Sequence, residues 1–118
     1  MNKLVTDKDL KKWTKRLGLE GWRIVLKTDV HPNDMAIENS VGISDWTECS
    51  KTAVIQILGE QYYGNRIIPF DAEKTLVHEL LHLKFSVLDG SGNDVHDRLL
   101  HQMIDDLARA LVDAERSK

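Results

Sequence analysis

Asp71-Ala72-Glu73-Lys74-Thr75-Leu76-Val77-His78-Glu79-Leu80-Leu81-His82-Leu83-Lys84-Phe85-Ser86-Val87-Leu88 is the stretch on which the fold turns. Asp71 is suited to cap a helix, because its carboxylate can accept from the free N–H groups of a first turn. Glu73 favours the positive end of the same helix. The spacing predicts a helix from Asp71 to about Leu88. At helical angles Leu76, Val77, Leu80, Leu81, Leu83, Phe85, Val87 and Leu88 cover most of the circumference. Thr75, His78, Glu79, His82 and Ser86 form one narrow polar stripe. A surface helix would be polar over a much wider arc, so this one is expected to be mostly buried, with its stripe facing a cleft.

Outward from that helix, Asp89-Gly90-Ser91-Gly92-Asn93 reads as a turn, and Asp94 can cap a last helix from Val95 to about Ala114. Towards the N-terminus, Thr52-Ala53-Val54-Ile55-Gln56-Ile57-Leu58 is the strongest strand signal in the chain. Val41 to Trp46 reads as its hairpin partner across Glu48-Cys49-Ser50-Lys51, and Trp22 to Lys27 as a third strand. His31 to Ser40, with Pro32, reads as a loop, and so does Gly59 to Pro69. A first helix begins at Thr6 or Asp7, carries Leu10, Trp13 and Leu17 at helical spacing, and is broken by Gly18 and Gly21. Helix, three strands and two helices make an α+β fold with a small, mostly antiparallel sheet.

The 118 residues allow one domain, 1–118, with one modest core. Hydrophobic residues at 42% and charged residues at 30% are ordinary for a globular chain. The formal net charge is −3 and the basic residues are scattered, so nothing indicates a nucleic-acid partner. No run is apolar enough to span or anchor in a membrane, and no leader follows Met1, so a cytoplasmic location is expected. The lone Cys49 excludes an internal disulfide and is expected to be a small buried residue.

His78-Glu79-Leu80-Leu81-His82 has the spacing H-E-x-x-H. Residues four apart on a helix are neighbours, so both imidazoles can reach one ion. Glu79 sits beside that position rather than on it, where it can act as a base towards water held by the ion. A zinc ion with three protein ligands keeps a place for water and lowers its pKa to about 7. The expected activity is therefore zinc-dependent hydrolysis, with Glu79 catalytic.

A third ligand has to come from elsewhere, because Phe85 and Leu88 stand where a longer single-helix motif would need Gly and His. In an antiparallel helix pair, residues equally far from the turn are level. His82 is six before Leu88 and His101 six after Val95, so each lies about 9 Å from the turn at helical rise. His78 and Asp105 are level in the same way. His101 is thus the expected third metal ligand, with Asp97 and Asp106 as its rivals. Asp105 could accept the second N–H of His78 and so orient it. Tyr62, Tyr63 and His96 are further candidates for stabilising an oxyanion.

Together, Thr75 to Leu83 following a strand and Met103-Ile104-Asp105-Asp106-Leu107-Ala108-Arg109-Ala110-Leu111-Val112 after it resemble the small gluzincin-like metallopeptidases, the minigluzincins, which include short phage and prokaryotic proteins. The resemblance extends over most of the chain, but its one specific element is the histidine motif. It implies a peptide or protein substrate. It also implies a third ligand on the following helix, normally a Glu with an Asp four residues later; His101 and Asp105 stand at those positions. His in place of Glu makes the site more positive by one unit. The resemblance further implies that the strand before the motif helix, Thr52 to Leu58, is a sheet edge on which an extended peptide could pair. The alternative is a non-catalytic zinc-binding regulatory or interaction domain that keeps the peptidase fold.

Overall fold

The computed structural model describes residues 4–118; Met1 to Lys3, part of the stretch read as lacking a leader, lie outside the described residues. Helix α1 (Asp7–Arg16) starts at Thr6, whose backbone N–H donates to Oδ2 of Asp9 at 2.9 Å. Leu10 and Trp13 are its buried face, and Gly18 ends it with a φ of +71°, a conformation that costs glycine little.

Strands β1 (Arg23–Val30), β2 (Gly42–Thr47) and β3 (Thr52–Leu58) form one sheet in the order β1-β3-β2. β2 and β3 are an antiparallel hairpin, with Ser44 opposite Ile55 and Trp46 opposite Ala53. β1 runs parallel to β3, with Ile24 opposite Ala53 and Leu26 opposite Ile55. Side-chain alternation sends Ala53, Ile55 and Ile57 to the helical face, where they join the main core. Met35, Ile43 and Leu58 make a smaller cluster on the other face. Gln56 ties the loop above that cluster to the sheet. Its Oε1 accepts from the backbone N–H of Ala36 at 3.0 Å, and its Nε2 donates to the carbonyl of Asp34 at 3.0 Å.

Helix α2 (Ala72–Lys84) has the expected cap: Asp71 Oδ1 accepts from the N–H of Lys74 at 3.0 Å. Leu76, Val77, Leu80, Leu81 and Leu83 are all at most 1% exposed. Full burial of each such side chain stabilises by roughly 1.5–3 kcal/mol, so this helix is the centre of the core. It is shorter than expected. After Lys84 the chain tightens into a 3-10 turn over Ser86–Leu88, which leaves Val87 and Leu88 exposed and swings Asp89 back towards His82. Helix α3 (Asp94–Arg116) is capped by Asn93, not Asp94: the Asn93 side chain accepts from the N–H of His96 at 3.0 Å.

The buried carboxylate of Glu73 joins the three helices. It accepts from Trp13 Nε1 at 2.9 Å and Lys12 Nζ at 3.1 Å on α1, and from Arg116 on α3 at 3.3 Å. Among the described residues, no helix is long and apolar enough to cross a membrane.

Two further expectations need correction. Thr52 to Leu58 is the central strand, because β1 pairs with its other side; the outer strand packed on α2 is β2. Cys49 is exposed, because the two-strand turn places its side chain outward rather than in the core.

Candidate metal centre

His78 and His82 are one turn apart on α2, and their Nε2 atoms face each other at 3.2 Å. His101 reaches the same point from α3, its ring centroid 4.9 Å from that of His78 and 5.4 Å from that of His82. Nitrogen donors from the three residues all lie within 4.8 Å of one another. Among the described residues, His78, His82 and His101 form a group that could hold a metal ion.

The far sides of two rings are held by acids. Nδ1 of His78 is 3.3 Å from Oδ1 of Asp105, and Nδ1 of His82 is 3.0 Å from Oδ2 of Asp89. Carboxylates only accept, so each Nδ1 carries the proton and each Nε2 presents a lone pair. Two lone pairs facing each other at 3.2 Å repel unless a cation lies between them. Tetrahedral zinc at the usual Zn–N distance separates its nitrogens by about 3.4 Å, close to this spacing. Burial of His78, reinforced by the neighbouring His82 and His101, lowers its pKa to about 4 against the opposing pull of Asp105. The ring is therefore neutral at pH 7, the form in which imidazole binds a metal. The donor set fits a borderline-soft divalent ion.

Glu79 is buried beside the histidines and points to the sheet. Its Oε1 accepts from the Ser44 hydroxyl at 2.9 Å. Burial raises its pKa to about 7; the Ser44 hydrogen bond opposes the rise and the charge of Asp89 adds to it. The approach of β2 to α2 depends on Gly42. A Cβ there would sit 2.5 Å from Thr75 Cγ2 and 3.0 Å from Oε2 of Glu79.

These groups line one cavity of about 540 Å³, between β2, α2 and α3. The remaining candidates fall elsewhere or are occupied. Asp97 accepts from the backbone N–H and hydroxyl of Ser91, and His96 faces Ser91 and Asp97. Neither these two nor Asp106 lines the cavity. Tyr62 packs edge-on against His31. Tyr63 does line the cavity, but its hydroxyl donates to the carbonyl of Ile68 at 2.6 Å. Asp89 and Ser44 were missed from sequence. Asp89 lies in a segment rich in turn formers, and its reach to His82 depends on the 3-10 turn. Ser44 had a signal: strand alternation puts it on the same face as Trp46.

No protein-family model matches the chain, and no match was found among curated proteins or solved structures.

Proposed function

We propose that this chain is a zinc-dependent peptidase in which His78, His82 and His101 hold the metal and Glu79 is the catalytic base. The observation that carries this reading is the pair of imidazoles with Nε2 atoms 3.2 Å apart, each backed by a carboxylate at Nδ1, with a buried Glu79 in the same cavity. A bound zinc would supply Lewis acidity, polarising a substrate carbonyl and making water nucleophilic at neutral pH.

The chain's own residues supply the rest. Asp105 and Asp89 fix the tautomers of His78 and His82, so both rings offer a lone pair to the same point. Glu79 accepts a proton as water attacks and returns it to the leaving amine; a base with a pKa near 7 suits both steps. Ser44 holds the Glu79 carboxylate in one orientation. The outer edge of β2 runs along the cavity, and an extended peptide adding to that edge would be presented to the histidines.

The deciding experiment is metal analysis of the wild type beside Glu79→Gln and His101→Ala, with peptide hydrolysis measured in parallel. The proposal expects stoichiometric zinc in the wild type, zinc without hydrolysis in Glu79→Gln, and weakened zinc binding in His101→Ala. Zinc in the wild type with Glu79→Gln altering stability alone would favour the non-catalytic binding domain.

A further inference from the structure

The cavity is lined by more than the histidines, Glu79 and the two orienting acids. Ile37 and Val41 from the loop before β2 and Tyr63 and Ile68 from the loop before α2 line it too. Ile37 and Ile68 are 61% and 55% exposed, whereas most of the aliphatic side chains on α2 and β3 are buried. Scattered exposed aliphatics are common, but these share one concavity with a candidate metal centre.

Both loops are held in place. Gln56 grips the first through Asp34 and Ala36, directly before Ile37, and the hydroxyl of Ser40 closes it onto the carbonyl of Ile37. The Tyr63 hydroxyl grips the second at the carbonyl of Ile68, while the Tyr63 ring packs edge-on against Phe70 with centroids 5.3 Å apart. The apolar wall is thus formed before anything binds, which lowers the ordering cost of binding.

Charge does not compete for the same occupant. Lys74 and Arg109 line the cavity, yet Lys74 is 3.0 Å from Asp113 and Arg109 is paired with Asp105. With its cations neutralised, the wall offers an acidic side chain little attraction.

We infer that the part of the cavity walled by Ile37, Val41, Tyr63 and Ile68 is a subsite that selects peptides carrying a large apolar side chain beside the group bound at the histidines. This deepens the zinc-peptidase reading and rests on it.

Two metal-chelating probes that differ only in side chain test the subsite without requiring turnover: N-acetyl-leucine hydroxamate and N-acetyl-glycine hydroxamate. Each is titrated calorimetrically into zinc-loaded full-length protein. Burying a leucine side chain predicts about tenfold or greater preference for the leucine probe. Ile68→Asp, at an exposed position that folding tolerates, should reduce that preference to about threefold or less, and Ile37→Asp should act in the same direction. Equal affinity of the wild type for both probes, no binding of either to zinc-loaded protein, or a preference unmoved in both variants overturns the subsite and leaves the metal reading intact. Protein that retains no zinc overturns the metal reading, and the subsite with it.

Discussion

Oδ2 of Asp89 lies 3.0 Å from Nδ1 of His82, although the two are separated by the end of α2 and a 3-10 turn. Asp89 therefore stands to His82 as Asp105 stands to His78, and each acid comes from outside its histidine's own helix. Asp89→Ala should weaken zinc affinity about 10–100-fold without displacing His82 from the helix. Competition with a chromophoric chelator measures this, and Asp97→Ala, which lies outside the cavity, is the control. Equal affinities in the two variants would show that the Asp89 contact does not orient a ligand.

His101 is where residue type and position pull apart. It faces both other histidines, while the resemblance has a carboxylate at its position. His101→Ala should cost more than the 10–100-fold typical of an orienting acid, and His101→Glu should keep zinc. The same chelator titration decides. Wild-type affinity in His101→Ala would reassign the third ligand.

Gly42 is a steric requirement rather than a turn. With Thr75 Cγ2 2.5 Å and Glu79 Oε2 3.0 Å from an added Cβ, Gly42→Ala must push β2 away from α2 or move Glu79. A stability loss of about 1–3 kcal/mol is expected from the overpacking. Zinc content should persist, because no histidine side chain is among the atoms crowded. Urea denaturation and metal analysis of one preparation test both halves, and an unchanged denaturation midpoint would count against a tight β2–α2 contact.

The Glu73 and Asp71 carboxylates predict an acid limit to stability. Burial alone would raise the pKa of Glu73, but Trp13, Lys12 and Arg116 outweigh it and hold the group below its ordinary 4.5. Asp71 is held below 3.8 in the same way, with burial outweighed chiefly by Arg116 and the N–H of Lys74. Both folded-state values are depressed, so the unfolded chain takes up protons first. The stabilisation is complete above about pH 4.5 and is lost as pH falls through the lowered folded-state values. Trp13→Phe keeps an aromatic side chain but removes one donor to a charged acceptor, which should cost about 1.5–3 kcal/mol at neutral pH, with a further loss from the smaller ring in the core. Denaturation midpoints against pH for wild type and Trp13→Phe measure both effects. A wild-type curve flat from pH 6 to pH 3 would contradict the depressed carboxylates.

What could be read from the sequence followed local spacing. The Asp71 cap and the buried leucines of α2 follow from helical geometry, and β3 is bounded at Thr52 and Leu58 by its β-branched run. His82 and His101 do meet, but not by the equal count to the turn, because α2 ends at Lys84 rather than Leu88. Contacts that depend on how distant segments meet were not legible in the same way. Asp89 looked like any turn residue until the end of α2 tightened. The strand next to the motif helix in sequence is not its neighbour at the sheet edge, because that place depends on where β1 docks, and local pattern says nothing about docking. Cys49 was expected inside on residue type alone, but the hairpin turn Glu48 to Lys51, with Lys51 at a φ of +52°, has no interior to offer it.

The placing of β3 between two earlier strands imposes an order on folding. β1 and β2 are adjacent in sequence but never pair, so until Thr52 to Leu58 is available each lacks the neighbour it will have in the sheet. The short-range hairpin can close in microseconds, whereas β1 must find β3 across a longer loop, with a larger entropy loss. A nascent chain that has not yet passed Leu58 thus carries two separate strands with unsatisfied edges, and the cavity beside β2 can take shape only after that late strand has bridged them.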